Sequence, residues 1–128
     1  MQKDVRVSQP ERHMVKLESL KKSNQFQTVL KGKKIHTDFF SIFATKNFIK
    51  KKGKNNLKIS FVVKKKFGNS VKRNRIRRKL KAIVLKISKI KGAINKDYTY
   101  IVFGKSKSYE EKQSSLLSIM INGFKKIK

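Results

Sequence analysis

Apolar residues recur along this chain in two rhythms, one near 3.6 residues and one of two, and the switches between them predict six elements. In "SLKKSNQFQTVLKGKK", Phe26, Val29 and Leu30 fall at i, i+3 and i+4, with Ser23 as a candidate N-cap and Gly32 placed to end a short helix. "HTDFFSIFAT" then alternates in twos. Phe40, Ile42 and Ala44 face one way and Phe39, Ser41 and Phe43 the other, a strand with aromatics on both faces. "NFIKKKGKNN" reads as a basic loop or hairpin connection around Gly53 with a mobile tip. "LKISFVV" is the clearest strand, with Leu57, Ile59, Phe61 and Val63 opposite Lys58, Ser60, Val62 and Lys64.

"KKKFGN" breaks that strand, and Asn69 or Ser70 caps a longer helix in which Ile76, Leu80, Ile83, Val84 and Ile87 keep the helical period until Gly92 closes the segment. "DYTYIVFGK" is a third strand, and the "SYEE" of Ser108 to Glu111 has the form of a capping box. It opens a last helix with Leu116, Leu117, Met120 and Phe124 as its buried stripe. The expected order is α-β-β-α-β-α, an α+β chain in which one small sheet packs with helices.

Length and charge narrow the picture. At 128 residues the chain suits a single core. Residues 1–15 are polar, hold the only proline, Pro10, and read as a flexible extension; residues 16–128 form the domain. The chain carries 35 Lys and Arg against 7 Asp and Glu, a formal charge of +28 that repels itself in the folded state. Between Phe39 and Lys96 there are twenty basic residues and no acidic one. A polyanion, RNA or DNA, is the natural partner. No apolar run is long enough to span a bilayer, so no membrane association is expected. The chain has no Cys and no secretory apolar region after Met1, which fits a cytoplasmic protein.

The basic residues are not evenly typed. Lysine is used almost everywhere, yet four of the six arginines, Arg73, Arg75, Arg77 and Arg78, lie within six residues. Arginine offers a planar fork that grips phosphate or a base edge with two hydrogen bonds, where lysine is a hydrated point charge. Asn74 adds a donor and an acceptor on the same turn. A solvated helix face usually mixes acids with bases. Here ten basic and no acidic residues lie between Lys64 and Lys81, a pattern that favours an RNA contact over a solvated stripe.

"KKFGNSVKRNRIRRKLK" resembles the signature of the bacterial ribonuclease P protein family, through Lys65, Lys66, Gly68, Val71, Arg73, Asn74, Arg75, Arg77 and Arg78. The resemblance extends in element order from about Leu17 to the end. It implies the small α/β sandwich shared with the second domain of ribosomal protein S5, with a central mixed sheet and a left-handed β-α-β crossover carried by the Arg-Asn-Arg helix. It also implies an RNA-binding cofactor of an RNA-based endoribonuclease that matures the tRNA 5′ end. In that family catalysis belongs to the RNA subunit, the protein alone binds no cofactor, and magnesium serves the RNA-protein holoenzyme.

Two surfaces follow from the resemblance. Lys65, Lys66, Arg73, Asn74, Arg75, Arg77 and Arg78 would contact the catalytic RNA. Lys22, Phe26, Phe39, Phe43 and Lys58 would receive the single-stranded 5′ leader of precursor tRNA, and aromatic platforms beside cations suit unpaired bases. Leu30 stands where the family often has a second aromatic. The residues themselves show neither catalytic nor metal-ligand spacing among the seven acids and His13 and His36. The alternative is a structural ribosomal protein. A DNA-binding module is disfavoured, because the strands around the basic helix do not suit a helix-turn-helix.

Overall fold

Each amphipathic segment needs a surface on which to bury its apolar face, and a single sheet supplies it for all of them. The structure is a computed structural model and describes residues 16–49, 56–90 and 92–127. In chain order the elements are β1 (Leu17–Glu18), α1 (Ser23–Leu30), β2 (Lys33–His36), β3 (Phe40–Lys46), β4 (Leu57–Val63), α2 (Ser70–Ser88), β5 (Tyr98–Gly104) and α3 (Gln113–Ile127). Short 3₁₀ turns at Lys65–Phe67 and Ser106–Tyr109 precede α2 and α3. The expected extension at residues 1–15 and the loop tip at Gly53 lie outside the described residues.

The sheet is mixed, with strand order β1-β4-β5-β3-β2. The central strand β5 runs parallel to β4, placing Tyr100 opposite Ile59, and antiparallel to β3, placing Val102 opposite Ile42. Helix α2 therefore connects two neighbouring parallel strands. One face of the sheet, from Phe40, Ile42, Ala44, Leu57, Ile59, Val63, Tyr100 and Val102, meets Ile76, Leu80, Ile83, Val84 and Ile87 of α2. Leu116, Met120, Phe124 and Ile127 of α3 complete that core. The smaller α1 covers the opposite face, where Leu20, Val29 and Ile101 are buried. Full burial of each such aliphatic side chain stabilises by about 1.5–3 kcal/mol. Tyr100 packs edge-on against Phe124 at 5.0 Å and donates to the Asn95 carbonyl at 3.1 Å; burial pushes its phenol well above the ordinary range.

Two strands are absent from the sequence-based order. β1 has only two residues, and β2 has one partly buried apolar residue, Ile35, among exposed neighbours, so neither shows an alternation to read. Three caps also differ. Ser23 is the first helical residue, and Gln25 Oε1 instead accepts from the backbone N–H of Lys21 at 3.0 Å and of Lys22 at 3.1 Å. The "SYEE" segment does not cap a helix: Ser108 and Tyr109 end the 3₁₀ turn, the buried Ser108 hydroxyl donates back to the Lys105 carbonyl at 2.7 Å, and α3 starts only at Gln113. Helix α2 stops at Ser88, and Gly92, at φ +78°, belongs to the connection beyond it. Asn69 caps α2 as its sequence suggests, accepting from the Lys72 N–H at 2.9 Å.

Helix α2 is tied to the 3₁₀ turn before α3 by lysines. Lys79 Nζ donates to the carbonyls of Ser108 at 2.9 Å and Tyr109 at 3.1 Å, and also to that of Glu111. Lys72 Nζ donates to Ser106 Oγ at 3.0 Å and lies 5.1 Å from the centre of the Tyr109 ring. These contacts hold the basic face of α2 in place relative to the sheet.

Lys79→Met keeps the stem and removes the charged donor, so it should lower stability by about 2 kcal/mol, the scale of hydrogen bonds to a charged group. Urea unfolding checks this. Gly32→Ala should cost about 1–3 kcal/mol by overpacking. Its Cβ would stand 2.2 Å from the Ala44 carbonyl oxygen, which β-sheet pairing does not let move. An unchanged midpoint in the same titration would contradict that close approach.

Candidate nucleic-acid interface

The alternation of β3, β4 and β5 leaves three side-chain rows on the α1 face. Pairing across the sheet sets Lys58 beside Thr99 and Thr45, then Ser60 beside Ile101, Phe43 and Lys34, then Val62 beside Phe103, Ser41 and His36. Helix α1 covers the middle of this face through Val29, over Ile101. The last row runs out beyond the helix and stays open.

That open end is a cleft of about 490 Å³, with Leu30 of α1 on one wall and His36, Ser41, Phe43 and Phe103 on its floor. Its other wall is Lys64, Lys66 and Phe67, from the turn that leads into α2, and Lys105 closes it. Phe43 and Phe103 meet edge to face at 5.4 Å, and the His36 ring stands edge-on to Phe43 at 5.8 Å while its Nδ1 is 2.8 Å from Ser41 Oγ. Cations hang over these rings: Lys34 lies 5.9 Å from the Phe43 centroid, Lys64 5.8 Å from Phe103 and Lys66 5.1 Å from Phe67. Partly exposed rings beside ammonium groups are the elements of a surface on which bases stack and phosphates find a counter-charge.

The five residues expected to receive a leader are not all here. Phe43 lies on the cleft floor. Phe26 is partly buried and packs against the cluster under α1. Phe39 precedes β3 and turns to the opposite side of the sheet, against the main core. Lys58 is 7% exposed, and its ammonium is held by Glu18 at 3.3 Å, inside the chain. Lys22 lines a separate groove at the other end of α1. Conversely, Phe103, Phe67, Lys64, Lys105 and His36 belong to the cleft without having been expected. Strand alternation could have placed Phe103 with Phe43 only if the pairing of β3 with β5 were known.

The arginine motif lies along the N-terminal half of α2, which starts after Gly68 at φ +144°. Arg73 Nε donates back to the Gly68 carbonyl at 3.1 Å, and Arg75 reaches the Tyr109 hydroxyl at 3.3 Å. Asn74 is exposed, and its Oδ1 accepts from the Arg77 guanidinium on the same helix face. Arg78 is exposed, with no hydrogen bond or ion pair among the described residues. Lys65 is exposed on the 3₁₀ turn, and Lys66 on the same turn also lines the cleft. The two expected surfaces are thus continuous through Lys66. The first turn of α2 holds no acidic residue, and cations at a helix N-terminus oppose its dipole.

No group of three or more His, Cys, Asp or Glu among the described residues could hold a metal ion. No helix among them is long and apolar enough to cross a membrane.

Comparison with known proteins agrees with this geometry. Residues 14–128 match the family model described as Ribonuclease P. A ribonuclease P protein component from Bacillus cereus strain AH187 is 31% identical over 121 residues, covering 90% of this chain and 99% of its own length. One from Bacillus anthracis strain CDC 684 is likewise 31% identical, over 90% of this chain and 96% of its own. Among solved structures, the RNase P protein from Thermotoga maritima superposes with a TM-score of 0.69 at 23% identity, over 87% of this chain and 98% of that one. The Staphylococcus aureus RNase P protein gives 0.66 at 23% identity, over 86% and 94%. The mixed sheet with its three helices is therefore the fold of those proteins, and this chain belongs to the ribonuclease P protein family.

Proposed function

We propose that this chain is the protein cofactor of an RNA-based ribonuclease P, binding the catalytic RNA through α2 and the 5′ leader of precursor tRNA in the cleft. The observation that carries the reading is the union of Arg73, Arg75, Arg77 and Arg78 with an aromatic, lysine-rimmed cleft through the single turn at Lys65–Phe67. Arg73, Arg75, Arg77 and Arg78 repel one another on a helix that carries no acid, and Arg73 in its first turn also opposes the helix dipole. A phosphate backbone reverses both terms. Bases of an unpaired strand would stack on Phe43 and Phe103 while its phosphates approach Lys64, Lys66 and Lys105.

In this mechanism the polypeptide binds and orients, and the RNA subunit carries out hydrolysis with its own magnesium ions. No protein side chain is assigned a proton transfer or a metal. A chain with this role works in the cytoplasm, where precursor tRNA is made and matured.

The deciding experiment is precursor-tRNA cleavage at low magnesium by a bacterial ribonuclease P RNA, with the protein, without it, and with the protein alone. Cleavage that appears only in the mixture supports the cofactor reading. RNA binding that leaves cleavage unchanged supports a structural ribosomal protein instead. Arg78→Ala removes a side chain with no internal role. It should flatten the dependence of log affinity for the catalytic RNA on log salt by about 0.7–0.9, the value for one phosphate contact, and leave unfolding unchanged. Phe43→Ala should reduce the preference for precursor over mature tRNA by about 1–3 kcal/mol, the range for one stacked base. Equal losses for both tRNAs would count against a leader site in the cleft.

A further inference from the structure

At the other end of α1 a second groove of about 440 Å³ opens between the helix and the segment leaving β3. Lys22, Asn24, Gln25 and Thr28 form one side, and Phe48 and Ile49 the other. Its volume is within the range of small-ligand sites, roughly 300–1,000 Å³. Among the described residues, no carboxylate lines it.

Phe48 is the one aromatic among the large hydrophobic side chains that are strongly exposed in the described residues, at 44%. Single exposed apolar residues are common and by themselves mean little. This ring, however, is held on both sides. Asn47 is fixed by three hydrogen bonds: its N–H donates to the Asp97 carbonyl at 2.8 Å, its Nδ2 to the Lys96 carbonyl at 2.8 Å, and its Oδ1 accepts from Thr99 Oγ1 at 2.7 Å. Ile49 packs into the cluster under α1. The backbone on either side of Phe48 is therefore tied down, so the ring is a prepared surface beside the exposed ammonium of Lys22. An aromatic face, a cation and amide groups on one rim are the elements that take an unpaired nucleotide.

We propose that this groove is a second subsite for an unpaired nucleotide of the same RNA strand, with its base stacked on Phe48 and its phosphate at Lys22. The inference rests on reading the first cleft as a single-strand site. Leu30 borders that cleft and Lys22 to Thr28 border this groove, so a strand following the eight-residue α1, about 12 Å long, passes from one to the other. Lys22 then acts at a different nucleotide from the one that meets Phe43.

The test is equilibrium binding of single-stranded oligoribonucleotides of about 4 and about 12 nucleotides, spanning ordinary single-strand site sizes. Wild type is compared with Phe48→Ala, Lys22→Gln and Phe43→Ala, each checked for an unchanged unfolding midpoint. The expected result is that Phe48→Ala weakens only the long oligonucleotide, by about tenfold, while Phe43→Ala weakens both. Lys22→Gln should reduce the salt dependence for the long oligonucleotide alone. If Phe43→Ala weakens binding and Phe48→Ala changes neither length, the second subsite is overturned and the cleft reading stands. If Phe48→Ala weakens both lengths equally, the groove is no separate subsite and the inference is again overturned. If neither variant matters, both readings fall together.

Discussion

Strand β5 is the constraint on which the other elements depend. It pairs with β4 on one edge and β3 on the other, and its two faces feed the two layers of the molecule. Tyr98, Tyr100 and Val102 look into the core made by α2 and α3, while Ile101 is capped by α1. Phe103 is two residues further on the α1 side, past the end of that short helix. An eight-residue helix over a seven-residue strand cannot cover its whole length once it sits over the centre. The cleft is the uncovered remainder, and its aromatic floor follows from a strand that is apolar on both faces.

The electrostatics follow a similar logic. With so few acids in the chain, several lysines find internal partners on backbone carbonyls instead: Lys79 on three, Lys33 on that of Ile127 at 3.0 Å, and Lys105 on that of Thr37 at 2.7 Å. A carbonyl satisfies the ammonium's hydrogen bonds but does not neutralise it. The fold is therefore held together by cations that keep their charge, and the net field remains for a polyanion to meet. Only Lys58, with Glu18, forms a nearly buried ion pair among the described residues. A residue that looks like a ligand contact by its type is, in this fold, a bolt between β1 and β4.

Much of this was legible in the chain. Sustained periods over α2 and the alternation of β4 reported real faces, because a side chain's direction in a helix or strand follows from local geometry alone. Arg73 and Arg77 share one face of α2 and Arg75 and Lys79 another, since residues one turn apart on a helix stay together wherever that helix goes. The errors share a cause. Ser23 and Ser108 look like caps by type, but the first helix starts on Lys22, whose N–H donates to Gln25 Oε1, and the Ser108 hydroxyl donates to the Lys105 carbonyl inside a 3₁₀ turn. Phe39 and Phe43 look alike by spacing, yet β3 begins at Phe40, and the residue before a strand is released from its alternation.

The sequence by itself determined that there would be three helices, a sheet with an aromatic strand, and a basic helix rich in arginine, because periodicity, composition and chain geometry are local. Only the tertiary structure decided which strands are neighbours, and so which aromatics meet. Phe43 and Phe103 are sixty residues apart, and only the pairing of β3 with β5 brings their rings to 5.4 Å. The same holds for charge. Lys22, Lys58, Lys66 and Lys79 are one residue type in the chain, and the fold makes them a groove rim, an ion pair, a cleft wall and a helix anchor. Burial and partner distance set what a lysine does, and neither exists until the layers close.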